Sequence, residues 1–331
     1  MATFGNTYLD IADVRRQSDR NDVIADVIEV LAQQNEALFD APVLEANQGM
    51  SHLATIRAGL PDVTWRKLYS GVQPSKGTTT QVRDTTGMLE AWSEVDSELL
   101  RISPDPAKLR FNQAKAHIMS MAHEVASKMF YGDASVEPEK FTGLTPRFSS
   151  KSAANGEQII DAGGTGSDNT SVWFITWGEG LTHLIYPRGT AAGLRREDLG
   201  EDTKVDATGG LFRVTRERFV QHVGLTVQDW RAVARIANVD VTNLTNDASA
   251  GADLIDLMVD AFYALDNPGR RDGNTVIYTS RTIAKYLHKQ AMNVNNVRLG
   301  IEDFAGRPTV TFLGHPVRRM DALLETEAQV T

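Results

Sequence analysis

The segment Gly163-Gly164-Thr165-Gly166-Ser167 has the small, backbone-rich composition of a phosphate-binding loop. Such a loop needs the lysine of a GxxxxGKS/T pattern to reach the phosphates, and it must open a helix. Here the lysine is missing and the flanks look like strands, so the segment reads as a surface turn. His117 and His123 lie on one predicted helix six residues apart, whereas two ligands on one helical face need a spacing of three or four. His123-Glu124 is not followed by the second histidine of an HExxH motif. Asp253, Asp256 and Asp260 share a helical face and would suit a hard cation, but a solvated face opposite a Leu/Met stripe accounts for them. There is no GxSxG elbow for a nucleophilic serine. With no cysteine in the chain, thiol nucleophiles, Cys-based zinc sites and disulfides are excluded. The expectation is a protein that is not an enzyme, with no catalytic residue, cofactor or metal.

Composition points the same way. The 331 residues suit about two domains or one large one, and 41% apolar content is enough for a core without crosslinks. Net charge is −9, a poor balance for wrapping nucleic acid, which rests on Lys/Arg neutralising phosphates. Residues 1–50 hold nine carboxylates against Arg15, Arg16 and Arg20. No run of about 18 apolar residues crosses a bilayer, and no basic start followed by an apolar run marks a leader, so the expected site of synthesis is the cytoplasm. The Asn169 and Asn243 sequons then carry no weight.

The elements follow from periodicity. Ile24, Val27, Ile28, Leu31 and Leu38 predict an amphipathic helix over 22–39. It either docks on its own core or packs on a neighbouring subunit. Val63–Tyr69 alternates like a strand, 70–80 is rich in Gly, Ser, Thr and Pro, and 81–93 is strand-like again. This predicts a long hairpin over 62–101 with Trp65, Leu68, Tyr69, Met88, Leu89 and Trp92 at its base. Its tip, 73–82, has almost nothing to bury. Such a ribbon gains stability only under another surface, with Lys67, Lys76 and Arg83 available to pair with carboxylates there. Phe111, Ala114, Ile118, Met121, Ala122, Val125 and Met129 predict one long helix over 106–131, closed by Gly132. From 141 to 240 the chain reads as β, with strands at 172–177, 181–186, 211–223 and 225–227. Beyond it come a helix with the stripe Leu254 to Leu265, a strand at 275–278, a helix at 282–292 and strands at 309–313 and 316–320.

Several stretches, in order, resemble the major capsid proteins of tailed bacteriophages, particularly short-tailed ones. They are Met129-Phe130-Tyr131-Gly132-Asp133 with Phe141-Thr142-Gly143-Leu144, then Phe219 to Asn238, then Gly306-Arg307-Pro308 with Phe312 to Val317 and Asp321. The resemblance implies an α+β fold with an N-arm (1–61), an extended hairpin or E-loop (62–101), a P domain with spine helix 106–131 and a β-sheet (mainly 102–245), and an α/β A domain (mainly 246–331) whose last strands return towards P. It implies a structural protein that self-assembles into hexamers and pentamers of an icosahedral shell enclosing double-stranded DNA without reading its sequence. It also implies virion localisation after assembly in the host cytoplasm. Scaffold, portal and a cement or decoration protein would be partners. Leu31, Lys67, Lys76 and Arg83 are then the candidate intersubunit contacts. Some relatives crosslink Lys to Asn, but nothing identifies a partner for Lys76, so no crosslink is predicted. An encapsulin-type compartment is the alternative, and a β-rich hydrolase the remote one.

Overall fold

The computed structural model describes residues 33–206, 208–242, 244, 254–266, 273–291, 299–304 and 307–331. In chain order the helices are α1 (Ala37–Asp40), α2 (Ser97–Ile102), α3 (Pro106–Tyr131), α4 (Leu144–Arg147), α5 (Leu254–Ala264) and α6 (Arg281–Ala291). The strands are β1 (Val43–Glu45), β2 (Ser51–Gly59), β3 (Thr78–Asp96), β4 (Ile159–Asp161), β5 (Asn169–Trp177), β6 (Thr182–Tyr186), β7 (Leu194–Val205), β8 (Leu211–Val227), β9 (Val233–Asp240), β10 (Asn274–Thr279), β11 (Leu299–Phe304), β12 (Arg307–Phe312) and β13 (His315–Arg319). The chain divides into two units. Among the described residues one comprises Gln33, Met88–Ala126 and Ala191–His222, the other Gln34–Gly87, Ser127–Thr190 and Val223–Thr331.

In the first unit, helix α3 starts where local chemistry dictates. Asp105 caps it by accepting from Lys108 N–H at 3.0 Å, and Pro106 takes the first helical position, where a missing N–H costs nothing. Its Ala114 and Met121 pack on Phe219 with Leu89 and Ala91 alongside, while Leu109 joins Val95, Leu99 and Leu100. The helix covers the predicted range. The predicted stripe differs: Phe111 is 61% and Ile118 38% exposed, and Leu109 and Ala126 are buried instead.

Strand β7 has no counterpart among the predicted strands. Its sequence LRREDLGEDTKV has seven charges and shows no apolar alternation, and it is exposed along most of its length. It stands because β8 pairs with it from Leu194↔Gln221 to Val205↔Leu211 and because its charges find partners. Arg218 bridges Glu90 and Glu197, Arg216 bridges Glu94 and Asp202, and Lys204 also meets Glu94. Glu217, with its carboxylate buried, takes both Arg196 and Arg110.

The second unit is built around β5, which is buried at every position, as the apolar run 172–177 predicts. β9 and β10 pair with it antiparallel on either side, and β13 lies parallel to β10. α5 and α6 close one side of this sheet with Leu254, Met258, Ala261, Ile283 and Leu287 against Val172, Phe174, Ile236 and Ile277. Each buried Leu, Ile, Val, Met or Phe side chain among them contributes roughly 1.5–3 kcal/mol. β9 and β11 were not predicted as strands. Beside the core, the segment 34–40 is fastened at both ends. Gln34 and Asp321 exchange two bonds through Gln34 N–H to Asp321 Oδ2 (3.0 Å) and Asp321 N–H to Gln34 O (2.9 Å). Asp40 accepts from Tyr278 OH at 2.7 Å and pairs with Arg318 at 3.2 Å. Most of the helix predicted over 22–39 lies outside the described residues; its described end holds only the four-residue α1.

Candidate assembly surfaces

The hairpin differs from the one expected over 62–101. Its first arm is β2, which pairs with β3 from Ser51↔Thr85 to Gly59↔Thr78. Residues 60–77 form no strand; they are the loop that joins the arms. The expected strand 63–69 therefore sits at the tip, not the base. Trp65 and Tyr69 are fully exposed, and Val63 and Leu68 nearly so. Alternation of apolar and polar residues reports a side chain that meets two environments, and it cannot tell whether the apolar one belongs to the same chain. The tip has local order of its own. Ser70 N–H donates to Lys67 O at 3.2 Å, Arg66 Nε donates to Ser70 O at 3.0 Å, and Ser75 Oγ reaches back to Asp62 O at 2.7 Å. Tyr69 is held at φ 64°, a backbone conformation a tyrosine adopts only under constraint.

The ribbon is basic in an acidic chain. Between 51 and 83 it has Arg57, Arg66, Lys67, Lys76 and Arg83 against Asp62 alone. The structure brings three of the four candidate contacts onto it: Lys67 and Lys76 in the exposed loop and Arg83 exposed on β3 opposite Leu53. None of the three has an ion-pair partner among the described residues. Leu31 lies outside the described residues. The outer edge of β2 is covered at one place, where Asn47 accepts from Leu53 N–H at 2.8 Å and donates to Leu53 O at 2.7 Å. This side chain stands in for a neighbouring strand and blunts the edge there.

The ribbon is rooted in a buried polar row that sequence reasoning missed. Asp84, 5% exposed, accepts from Thr226 Oγ1 at 2.7 Å and pairs with Arg147 at 2.7 Å. Arg147 also donates to the carbonyls of Thr142, Gly143 and Leu225. Strands β3 and β8 approach so closely here that a Cβ on Gly224 would lie 2.7 Å from Thr85 O. The one available signal was an aspartate, Asp84, within the strand-like stretch 81–93.

A second buried charge organises the sheet. Arg235, 1% exposed, donates to Glu327 Oε2 (2.7 Å), Phe148 O (2.7 Å) and Ser171 Oγ (3.0 Å), with its guanidinium 5.0 Å from the Trp173 ring centre. Glu327 also accepts from Tyr131 OH at 2.5 Å. Burial, and next the Glu327 carboxylate, push the Tyr131 phenol well above its ordinary pKa, so it serves as a fixed donor. Arg235 and Glu327 each have several buried partners, as a charge pair inside a scaffold requires. Among the described residues no group of three or more His, Asp or Glu is placed to hold a metal, and no helix is long and apolar enough to cross a membrane. Gly163 to Ser167 lies in the loop between β4 and β5, with Gly163 N–H bound to Asp161. His117 stacks on Phe219, and His123 accepts from Gln33 N–H.

A chain in the structure of bacteriophage Epsilon15 is 42% identical and superposes with a TM-score of 0.78, covering 100% of both chains. The bacteriophage JBD30 capsid shares the fold at 10% identity and a TM-score of 0.51, covering 90% of this chain and 93% of that one. An encapsulin of Synechococcus elongatus matches at 9% identity and a TM-score of 0.48, covering 72% of this chain and 98% of that one. No curated protein matches the chain. The model of the family "Major capsid protein GP7" matches residues 19–331, and the chain, a phage major capsid protein of the α+β capsid fold, belongs to that family.

Proposed function

We propose that the chain is the repeating subunit of an icosahedral phage shell, assembling with itself into hexamers and pentamers around double-stranded DNA. The observation that carries this reading is the full-length likeness, at 42% identity, to a chain of bacteriophage Epsilon15. The ribbon supports it. Val63, Trp65, Leu68 and Tyr69 are apolar side chains displayed to solvent, and large exposed apolar groups on a soluble protein mark an interaction site. In this reading the ribbon is the E-loop, β2 to β3 with the 60–77 tip, and Lys67, Lys76 and Arg83 meet carboxylates of a neighbour. Helix α3 is the spine of the P domain, and the core of α5, α6, β10 and β13 belongs to the A domain. Catalysis has no part in it. The acidic balance lets a container hold DNA without adhering to it. Scaffold, portal and decoration proteins would be its partners, with assembly in the host cytoplasm and residence in the virion.

Expression of the full chain followed by sedimentation and negative-stain microscopy tests this. Rings, shells or polymorphic aggregates at high concentration are the expected result. A compact monomer under every salt and scaffold condition overturns it.

A further inference from the structure

We propose that His52 and His183 form an acid-sensitive latch that fastens the root of the β2–β3 ribbon, and that protonation frees the ribbon. The two rings meet edge to face, their centres 5.7 Å apart at 89°. His183, on β6, is 1% exposed, and neither of its ring nitrogens makes a hydrogen bond of good geometry, the Gly178 backbone being the nearest partner. His52, on β2, has a buried, unbonded Nδ1, and its Nε2 lies 2.8 Å from the amide nitrogen of Gln228. That amide nitrogen can only donate, so the His52 nitrogen accepts. The register places His52 opposite Asp84 and His183 opposite Thr226, and Thr226 bonds Asp84. The contact thus ties β2, the first arm of the ribbon, to the body of the second unit through β6.

Among the described residues, the nearby carboxylates are already paired or exposed. Asp84, facing from β3, is already committed to Arg147 from α4. Glu179, in the turn before β6, is exposed, so its attraction is screened. Asp229 and Arg231, beside the groove in front of His52, are paired with each other. Burial, and next His52, hold the His183 imidazole below its ordinary pKa, while the Gly178 backbone, Glu179 and Asp84 pull the other way without offsetting it. The sign follows. Above about pH 6.5 the ring is neutral whether the latch is closed or open, and the closed state has no pH dependence from it. Below that value the open state takes up a proton and the closed state does not. The open state then gains up to about tenfold per pH unit until the closed-state pKa is reached.

The test is hydrogen–deuterium exchange of the unassembled full-length chain between pH 8 and pH 5, corrected for intrinsic exchange. Exchange over 51–59 should rise below about pH 6.5, by up to about tenfold per unit, while 172–177 stays protected. His183→Gln should flatten this response. If His183→Gln does not fold, His183→Leu, which fills the same site without a titrating group, makes the same test. A ribbon whose corrected exchange does not change from pH 8 to pH 5 overturns the proposal. So does a folded variant that keeps the wild-type pH profile. Neither result bears on whether the chain builds shells, because the measurement is made on the free subunit.

Discussion

Arg235 shows what a single residue contributes to this scaffold. It interrupts the apolar strand β9, and a guanidinium there is tolerable only because carboxylate, carbonyl, hydroxyl and indole surround it. Replacing such a pair by apolar groups is often neutral, whereas removing one partner strands the other charge in a dry site. Glu327→Ala should therefore destabilise the subunit by about 3–5 kcal/mol. Glu327→Gln, which keeps a carbonyl oxygen for Tyr131 and Ser171, should cost less. Urea midpoints of the two variants check the order, and an Ala variant as stable as wild type would show that Arg235 reaches water. Sequence periodicity did not mark 233–240 as a strand, so Arg235 did not stand out as a buried charge. Nor did it show the partner, since Glu327 sits 92 residues away on a C-terminal segment with no periodicity of its own.

At the scale of elements, helix α3 separates two kinds of apolar residue that the sequence presents alike. Met121 is 4% exposed against Phe219, and Ile118, three residues earlier, is 38% exposed. Ile118→Asp should leave a soluble, folded subunit, with a cost within about 1 kcal/mol, as for surface substitutions. Met121→Asp puts a carboxylate into a closed apolar contact and should cost several kcal/mol. Circular dichroism melts of the two variants decide it. Loss of folded protein in Ile118→Asp would place that side chain in the core after all. The same contrast explains what was legible. Helices α3, α5 and α6 and strands β5, β6 and β10 were readable because each buries its apolar face in its own chain. Strand β7 was not, because ion pairs and β8 hold it rather than a buried face. The ribbon was displaced because SHLATIRAG alternates weakly, while VTWRKLY alternates well with no partner in its own subunit.

At the scale of the molecule, the contact role proposed for the ribbon tip would show only where there are many copies. Residues 60–77 are exposed throughout and join Gly59 to Thr78, which already face each other across the ladder. A two-residue turn would therefore close the same hairpin. Replacing 60–77 by Asn-Gly should leave the melting temperature of the free subunit within a few degrees, since almost no buried contact is removed. In a shell the balance is different. Val63, Trp65, Leu68 and Tyr69 would each contribute roughly 1.5–3 kcal/mol when covered by a neighbour. Lys67 and Lys76 add only about 0–1 kcal/mol apiece as exposed pairs. The apolar set should therefore outweigh the charges: Trp65→Ala should weaken particles more than Lys67→Ala or Lys76→Ala, in order of urea or heat resistance. Linked copies multiply these small differences around a ring. Sedimentation of the shortened variant should give folded subunits and few or no shells. Shells of undiminished stability would mean that the tip is not a contact, and an unfolded free subunit would mean that it belongs to the core.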